Sequence, residues 1–206
     1  MKKLQSTLPN MAIVLTVISV LAGGVLAFVN GMTKGPIEEI KAKTLADGIK
    51  AVLNADDLQV EEPVVLDNGA VVYKTNKGMA VQAVDPNGFG GNLSVLVGFD
   101  EAGAIQGYQV LEHAETPGLG AKASFWFQKG EKGDIIGKNP SVNNLTVSKD
   151  GGEVDAITAS TITSRAFLRA VNAAYAALSG NTDAQTSATQ QASPAEKAGS
   201  SENTNE

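Results

Sequence analysis

The feature that most constrains this chain is the stretch MAIVLTVISVLAGGVLAFV, Met11 to Val29, which carries no charged side chain. A run of this length and composition reaches across the hydrocarbon core of a bilayer as a helix. Lys2 and Lys3 precede it, and the positive-inside rule then leaves the N-terminus in the cytoplasm and the remainder of the chain outside. A cleaved signal peptide is the alternative, with Val25-Leu26-Ala27 as its cleavage site, but its apolar region is usually shorter than this one. The expected organisation is a cytoplasmic segment over 1–10, a transmembrane helix over 11–31, an extracytoplasmic domain over 34–178 and a disordered tail over 179–206. The tail lacks apolar side chains larger than alanine, so it buries too little surface to offset chain entropy.

Beyond the anchor, the pattern is α+β. TKGPIEEIKAKTLADGIKAVLNA reads as a juxtamembrane helix with Pro36 in its first turn. Runs rich in valine follow, punctuated by Asp67-Asn68-Gly69, Asn76-Lys77-Gly78 and the Asp100–Gly103 turn. Such signals predict an antiparallel meander of four or five strands. The segment from Glu115 to Asn139 reads as loops with a short helix, and SVNNLTV as a further strand. TSRAFLRAVNAAYAALSG predicts a helix whose apolar stripe is Phe167, Leu168, Val171, Ala174, Tyr175 and Leu178, with Gly180 as its stop.

Composition narrows the chemistry. The net charge of −6 argues against nucleic acid as a partner, because phosphate binding needs a basic patch. With no cysteine, the chain supplies neither thiolates for an iron–sulfur cluster nor a cysteine nucleophile. Its one histidine, His113, cannot build a multi-histidine metal site, and no metal ligands are expected.

Three stretches remain. DAITASTITSRAF, from Asp155, gathers five hydroxyls between Thr158 and Ser164, directly ahead of the predicted helix. One or two would serve as N-caps. The others suit an anion site, where free helix N–H groups and the dipole favour a phosphate, and one hydroxyl is open to covalent attachment. NGFGGN, Asn87 to Asn92, fits a tight strand connection or a close backbone approach to a ligand. EHAETPGLGAKASFWF contains Pro117-Gly118, which favours a type II turn. Phe125, Trp126 and Phe127 read as core, and His113 as a solvated strand-end residue.

Together these stretches resemble the G subunit of the Rnf electron-transport complex, and are similar to the C subunit of the sodium-pumping NADH:quinone oxidoreductase, which shares an FMN-binding domain. The resemblance rests on the order of segments, on ETPGLG (Glu115, Thr116, Pro117, Gly118, Leu119, Gly120) and on DAITASTITS as a flavinylation motif. It implies FMN joined by a phosphoester to Thr161, with Asp155 and Thr158 at positions a flavin transferase recognises. Ser160, Thr163 and Ser164 complete the hydroxyl cluster, and Ser160 and Thr163 are lesser candidates for attachment. Gly88, Gly90, Gly91 and the Glu115–Gly120 loop are expected to wall the flavin pocket. The family's usual Gly-Ala is Ala159-Ser160 here, so a Cβ stands where the turn favours glycine. The implied function is electron relay in a redox-driven ion translocase of the bacterial inner membrane, without catalysis by this chain alone and alongside other membrane subunits. The alternatives are a non-redox anchored scaffold or solute-binding module, or an FMN carrier in another extracytoplasmic chain.

Overall fold

The computed structural model describes residues 8–178. Lys2, Lys3, Gly180 and the predicted tail lie outside the described residues. The chain divides into two compact units, Met1–Ala46 and Asp47–Glu206. The first is helix α1, Leu8–Val52, whose last turns belong to the second unit. Its apolar residues from Met11 to Val29 are exposed, and the helix is long and apolar enough to cross a membrane. The helix does not restart at Pro36, as the sequence suggests, but runs through it. Gly35 precedes that proline and lacks the Cβ that its ring would crowd.

The second unit is an α+β domain built on a five-stranded antiparallel meander, in the order β1 Val64–Val65, β2 Val71–Thr75, β3 Gly78–Gly88, β4 Gly91–Phe99 and β5 Ile105–Glu112. The expected turn signals sit between the strands. Gly69 and Gly103 adopt φ of 78° and 81°, which glycine reaches without steric cost. Strand β4 is covered on both faces, so LSVLVGF reads as a continuous apolar run rather than an alternation. Val95, Val97 and Phe99 join the main core beneath helix α3, Thr161–Leu178. On the alternate positions, Gly98 pairs in register with Gly107, and a Cβ on either would collide with the Val52 backbone. This glycine pair lets the last turn of α1 lie flat on the sheet.

Helix α3 buries Phe167, Leu168, Val171 and Ala174 of the expected stripe, with Tyr175 and Leu178 partly buried against the core, and it starts at Thr161, two residues before the predicted segment. Its Phe167 stacks on Phe127, with ring centroids 4.2 Å apart and planes 6° from parallel. Tyr108 of β5 meets Phe167 edge-on at 4.7 Å. The Tyr108 hydroxyl donates to the Ala123 carbonyl at 2.8 Å and accepts the Phe127 N–H at 3.1 Å. Burial pushes the Tyr108 phenol well above its ordinary range, so it stays neutral in this role. These contacts tie the short helix α2, Ala123–Trp126, to both sheet and α3. Of the neighbouring aromatics, Trp126 is half-buried, while Phe125 is exposed rather than core.

The predicted strand SVNNLTV does not form. Asn139 accepts from the N–H and hydroxyl of Ser141, Asn143 accepts from the Asn139 N–H, and the Asn144 amide donates to the Gly151 carbonyl. Asparagine side chains thus compete with a sheet ladder for the backbone. A single parallel bridge, Val147 to Val154, remains.

Candidate functional site

The three stretches singled out in the sequence converge on one side chain. Glu115 is only 6% exposed. Its Oε2 accepts a short hydrogen bond of 2.6 Å from the Thr163 hydroxyl on α3. Its Oε1 accepts the Gly90 N–H at 3.4 Å. Its own N–H donates to His113 Nδ1 at 3.2 Å, so the exposed histidine ring has a partner that the sequence did not suggest.

Glycines make this convergence possible. A Cβ on Gly120 would collide with Glu115 Oε2 and lie 2.6 Å from Thr163 Oγ1. A Cβ on Gly88 would lie 2.7 Å from Glu115 Oε1, and one on Gly90 would be driven into the Ala114 carbonyl. Gly88 and Gly91 are paired at the end of the β3–β4 hairpin, which makes NGFGGN a strand connection as well as a wall against Glu115. Gly91 takes φ of 115°. In the Glu115–Gly120 loop, the Leu119 N–H returns to the Thr116 carbonyl at 3.1 Å across Pro117-Gly118. Gly118 has φ of 75°, as a type II turn requires at that position. Thr116, Pro117 and Gly118 are exposed.

A second set of contacts fixes the hydroxyl-rich motif. Ser164 is fully buried; its hydroxyl accepts the Ile157 N–H and donates to the Ser160 carbonyl, both at 2.9 Å. Ser160 is the N-cap residue, since its carbonyl accepts the first helical bond, from the Ser164 N–H at 3.0 Å. The amides of Thr161, Ile162 and Thr163 lie ahead of that first donor, at the electropositive end of an 18-residue helix. Thr161, the first helical residue, is half-buried, and Thr158 is exposed. Ala159 adopts φ of 60°, the left-handed conformation that costs a residue with a Cβ about 1–2 kcal/mol. The departure from Gly-Ala therefore falls where the backbone favours glycine. Asp155 is not brought to Glu115. Its carbonyl accepts from Trp126 Nε1 at 2.9 Å, and its carboxylate accepts from the Ser148 hydroxyl at 3.3 Å.

Two arginines that the sequence does not single out hold the surroundings. Arg169 makes a two-pronged contact with Asp85, at 2.8 and 3.0 Å, and so pins the base of the glycine hairpin to α3. Arg165 grips Asp150 in the same way at 2.7 and 2.8 Å. Their spacing of four residues on one helix face is the available signal. Exposed apolar side chains rise from all three converging segments: Phe89 at 68%, Leu119 at 42% and Ile162 at 50%. Among the described residues, no cluster of acidic or histidine side chains is suited to hold a metal ion.

The arrangement offers helix amides and hydroxyls for a phosphate, an alcohol within reach of it, and apolar side chains for a planar ring. The FMN-binding domain family matches residues 88–176, a span from the glycine hairpin through most of α3. The G subunit of the ion-translocating oxidoreductase complex of Cronobacter sakazakii is 34% identical over 186 residues, covering 82% of this chain and 88% of that protein. This chain belongs to that G-subunit family. The corresponding protein of Yersinia pestis is also 34% identical, over 80% of this chain and 87% of its own length. That of Shewanella piezotolerans is 31% identical over 84% and 89%. G-subunit relatives thus align along most of the chain, well beyond the span of the FMN-binding domain.

Proposed function

We propose that this G-subunit homologue carries FMN joined through a phosphoester to Thr161 and relays electrons within a membrane-bound, ion-translocating oxidoreductase complex. The observation that carries the reading is the convergence of the glycine hairpin, the ETPGLG loop and the first turn of α3 on Glu115, with Thr161 at the mouth of that turn. The residues present fit the group. The amides of residues 161–163 and the neighbouring hydroxyls suit its phosphate. Phe89, Leu119 and Ile162 suit its ring.

When bound, FMN supplies the capacity to accept and release electrons one at a time. The chain's own residues hold and shield it. Thr161 contributes the attachment oxygen, and Ser164 fixes the loop ahead of it by bonding the Ile157 N–H and the Ser160 carbonyl. Asp155 and Thr158 are exposed, as recognition by a flavin transferase using FAD and magnesium requires. A covalent link keeps the cofactor from diffusing away, which suits a relay with no substrate site of its own. Helix α1 anchors the protein in the bacterial inner membrane, with the domain on the extracytoplasmic side and the other membrane subunits beside it.

Intact mass and peptide mapping of the membrane-purified protein test the attachment. The expected result is the mass of one FMN less water on the Thr161 peptide, absent from Thr161→Ala. An unmodified Thr161 peptide from cells with an active flavin transferase would overturn it. The Thr161→Ala complex is expected to assemble and lose electron transfer.

A further inference from the structure

Glu115 has more to do than close a loop. Both of its carboxylate oxygens accept hydrogen bonds, from the Thr163 hydroxyl and the Gly90 N–H, as an ionised, acceptor-only group does. The 2.6 Å contact to Thr163 has the length of a charge-assisted O–H···O⁻ bond. The side chain is almost completely buried, and among the described residues no lysine or arginine forms an ion pair with it. The arginines of α3 are committed elsewhere, Arg165 to Asp150 and Arg169 to Asp85. A buried carboxylate without a cationic partner is costly, and burial away from solvent also carries its field further. For loop closure alone, a neutral amide would make the same two contacts without that cost.

We infer that Glu115 is a positioning residue whose fixed negative charge, held two residues from Thr161 by its bond to Thr163, lowers the reduction potential of the flavin seated against these three segments. This rests on the FMN reading above. Reduction adds an electron to the pocket, and a neighbouring anion in a low-dielectric wall opposes that addition. The Thr163 hydroxyl sets how much of the anion's charge is compensated. Its loss leaves the carboxylate barer, and its retention keeps the charge spread over a hydrogen bond.

The test compares charge with shape. In Glu115→Gln the amide oxygen can accept from Gly90 and the amide nitrogen can donate to the Thr163 oxygen, so both contacts survive and only the charge goes. The full-length protein is purified from membranes of cells with an active flavin transferase, and loading is checked by intact mass. Each variant is then titrated with dithionite at pH 8 in a spectroelectrochemical cell. In Glu115→Gln, the potential of the flavin that is loaded is expected to shift to more positive values. Thr163→Val, which keeps the carboxylate and removes its donor, is expected to shift to more negative values. Thr163→Ser, which restores the hydroxyl, is expected to return to the wild-type potential. If Glu115→Gln does not fold, the Thr163 pair carries the test. Unchanged potentials, or shifts of one sign in both the Gln and Val variants, overturn the inference. A wild-type protein lacking the FMN mass defeats the underlying reading, and the inference with it.

Discussion

The sheet with the body of α3 and the irregular segment from residue 113 to 160 are held together by different means. In the first, regular hydrogen bonding is supplied by the strands, and stability comes from apolar area: Leu93, Val95, Val97, Phe99 and Phe167 are each fully buried. Burial of each such side chain contributes roughly 1.5–3 kcal/mol. In the second, Phe127, Ile135, Leu145 and Ile157 reach the same core, but with no strand ladder the backbone between them is set by individual polar ties, among them Glu115–Thr163, Ser164–Ile157, Trp126–Asp155 and Arg165–Asp150. The first region tolerates local error because its energy is spread over many contacts. In the second, each polar tie sets one position along a backbone that has no ladder to hold it.

This contrast can be broken by experiment. The largest expected effect is Phe167→Ala, which removes the stack on Phe127 and the edge contact from Tyr108. It should cost about 3–5 kcal/mol in chemical denaturation. Arg169→Ala leaves Asp85, which is mostly buried, without its two charge-assisted bonds. A cost of about 2 kcal/mol is expected from the same measurement, together with faster hydrogen exchange in the Asp85–Gly91 hairpin. If Arg169→Ala matched Phe167→Ala, the account of the sheet and α3 as held chiefly by apolar area would fail. Ala159→Gly works in the opposite sense. Relief of the left-handed strain, partly offset by the added freedom of the unfolded chain, should raise stability by up to about 1 kcal/mol.

Arg165→Ala should have the smallest effect, about 1 kcal/mol or less, since Arg165 and Asp150 are 41% and 34% exposed. It sharpens the comparison through pH. Hydrogen bonds from Arg165 hold the Asp150 carboxyl below its ordinary range. A carboxyl lowered in the folded state adds stability that is complete above its unfolded pKa and is lost as pH falls through the folded value. The gap between wild type and Arg165→Ala should therefore be present at neutral pH and close on acidification. A gap that persisted into strong acid would mean that Arg165 acts through packing.

The same contrast explains what is legible in the sequence. The meander is legible because its turns carry local signals, Asn68-Gly69 and Asn76-Lys77-Gly78, and α3 because its apolar stripe recurs every three to four residues. The composition of the site is legible too, since glycine, hydroxyl and Glu-Thr-Pro-Gly clusters stand out. Its assembly is not. Thr163 and Gly90 lie 48 and 25 residues from Glu115, and no local pattern announces a contact between them. The expected strand at SVNNLTV fails for a different reason: its β-favouring valines are outweighed by asparagines that satisfy the backbone themselves. Pro36 reads as a helix start because a proline suits a first turn, whereas the residue before it decides whether a helix can pass.

The bond from Trp126 Nε1 to the Asp155 carbonyl has a practical consequence. Trp126 is the only tryptophan in the chain, so all indole emission comes from a ring tied to the start of the hydroxyl-rich motif. The protein thereby carries a built-in optical probe at one defined place. Its emission colour and lifetime report whether that loop is docked, and any yellow chromophore installed at Thr161 would dim it by energy transfer, so that maturation could be followed in real time without a label.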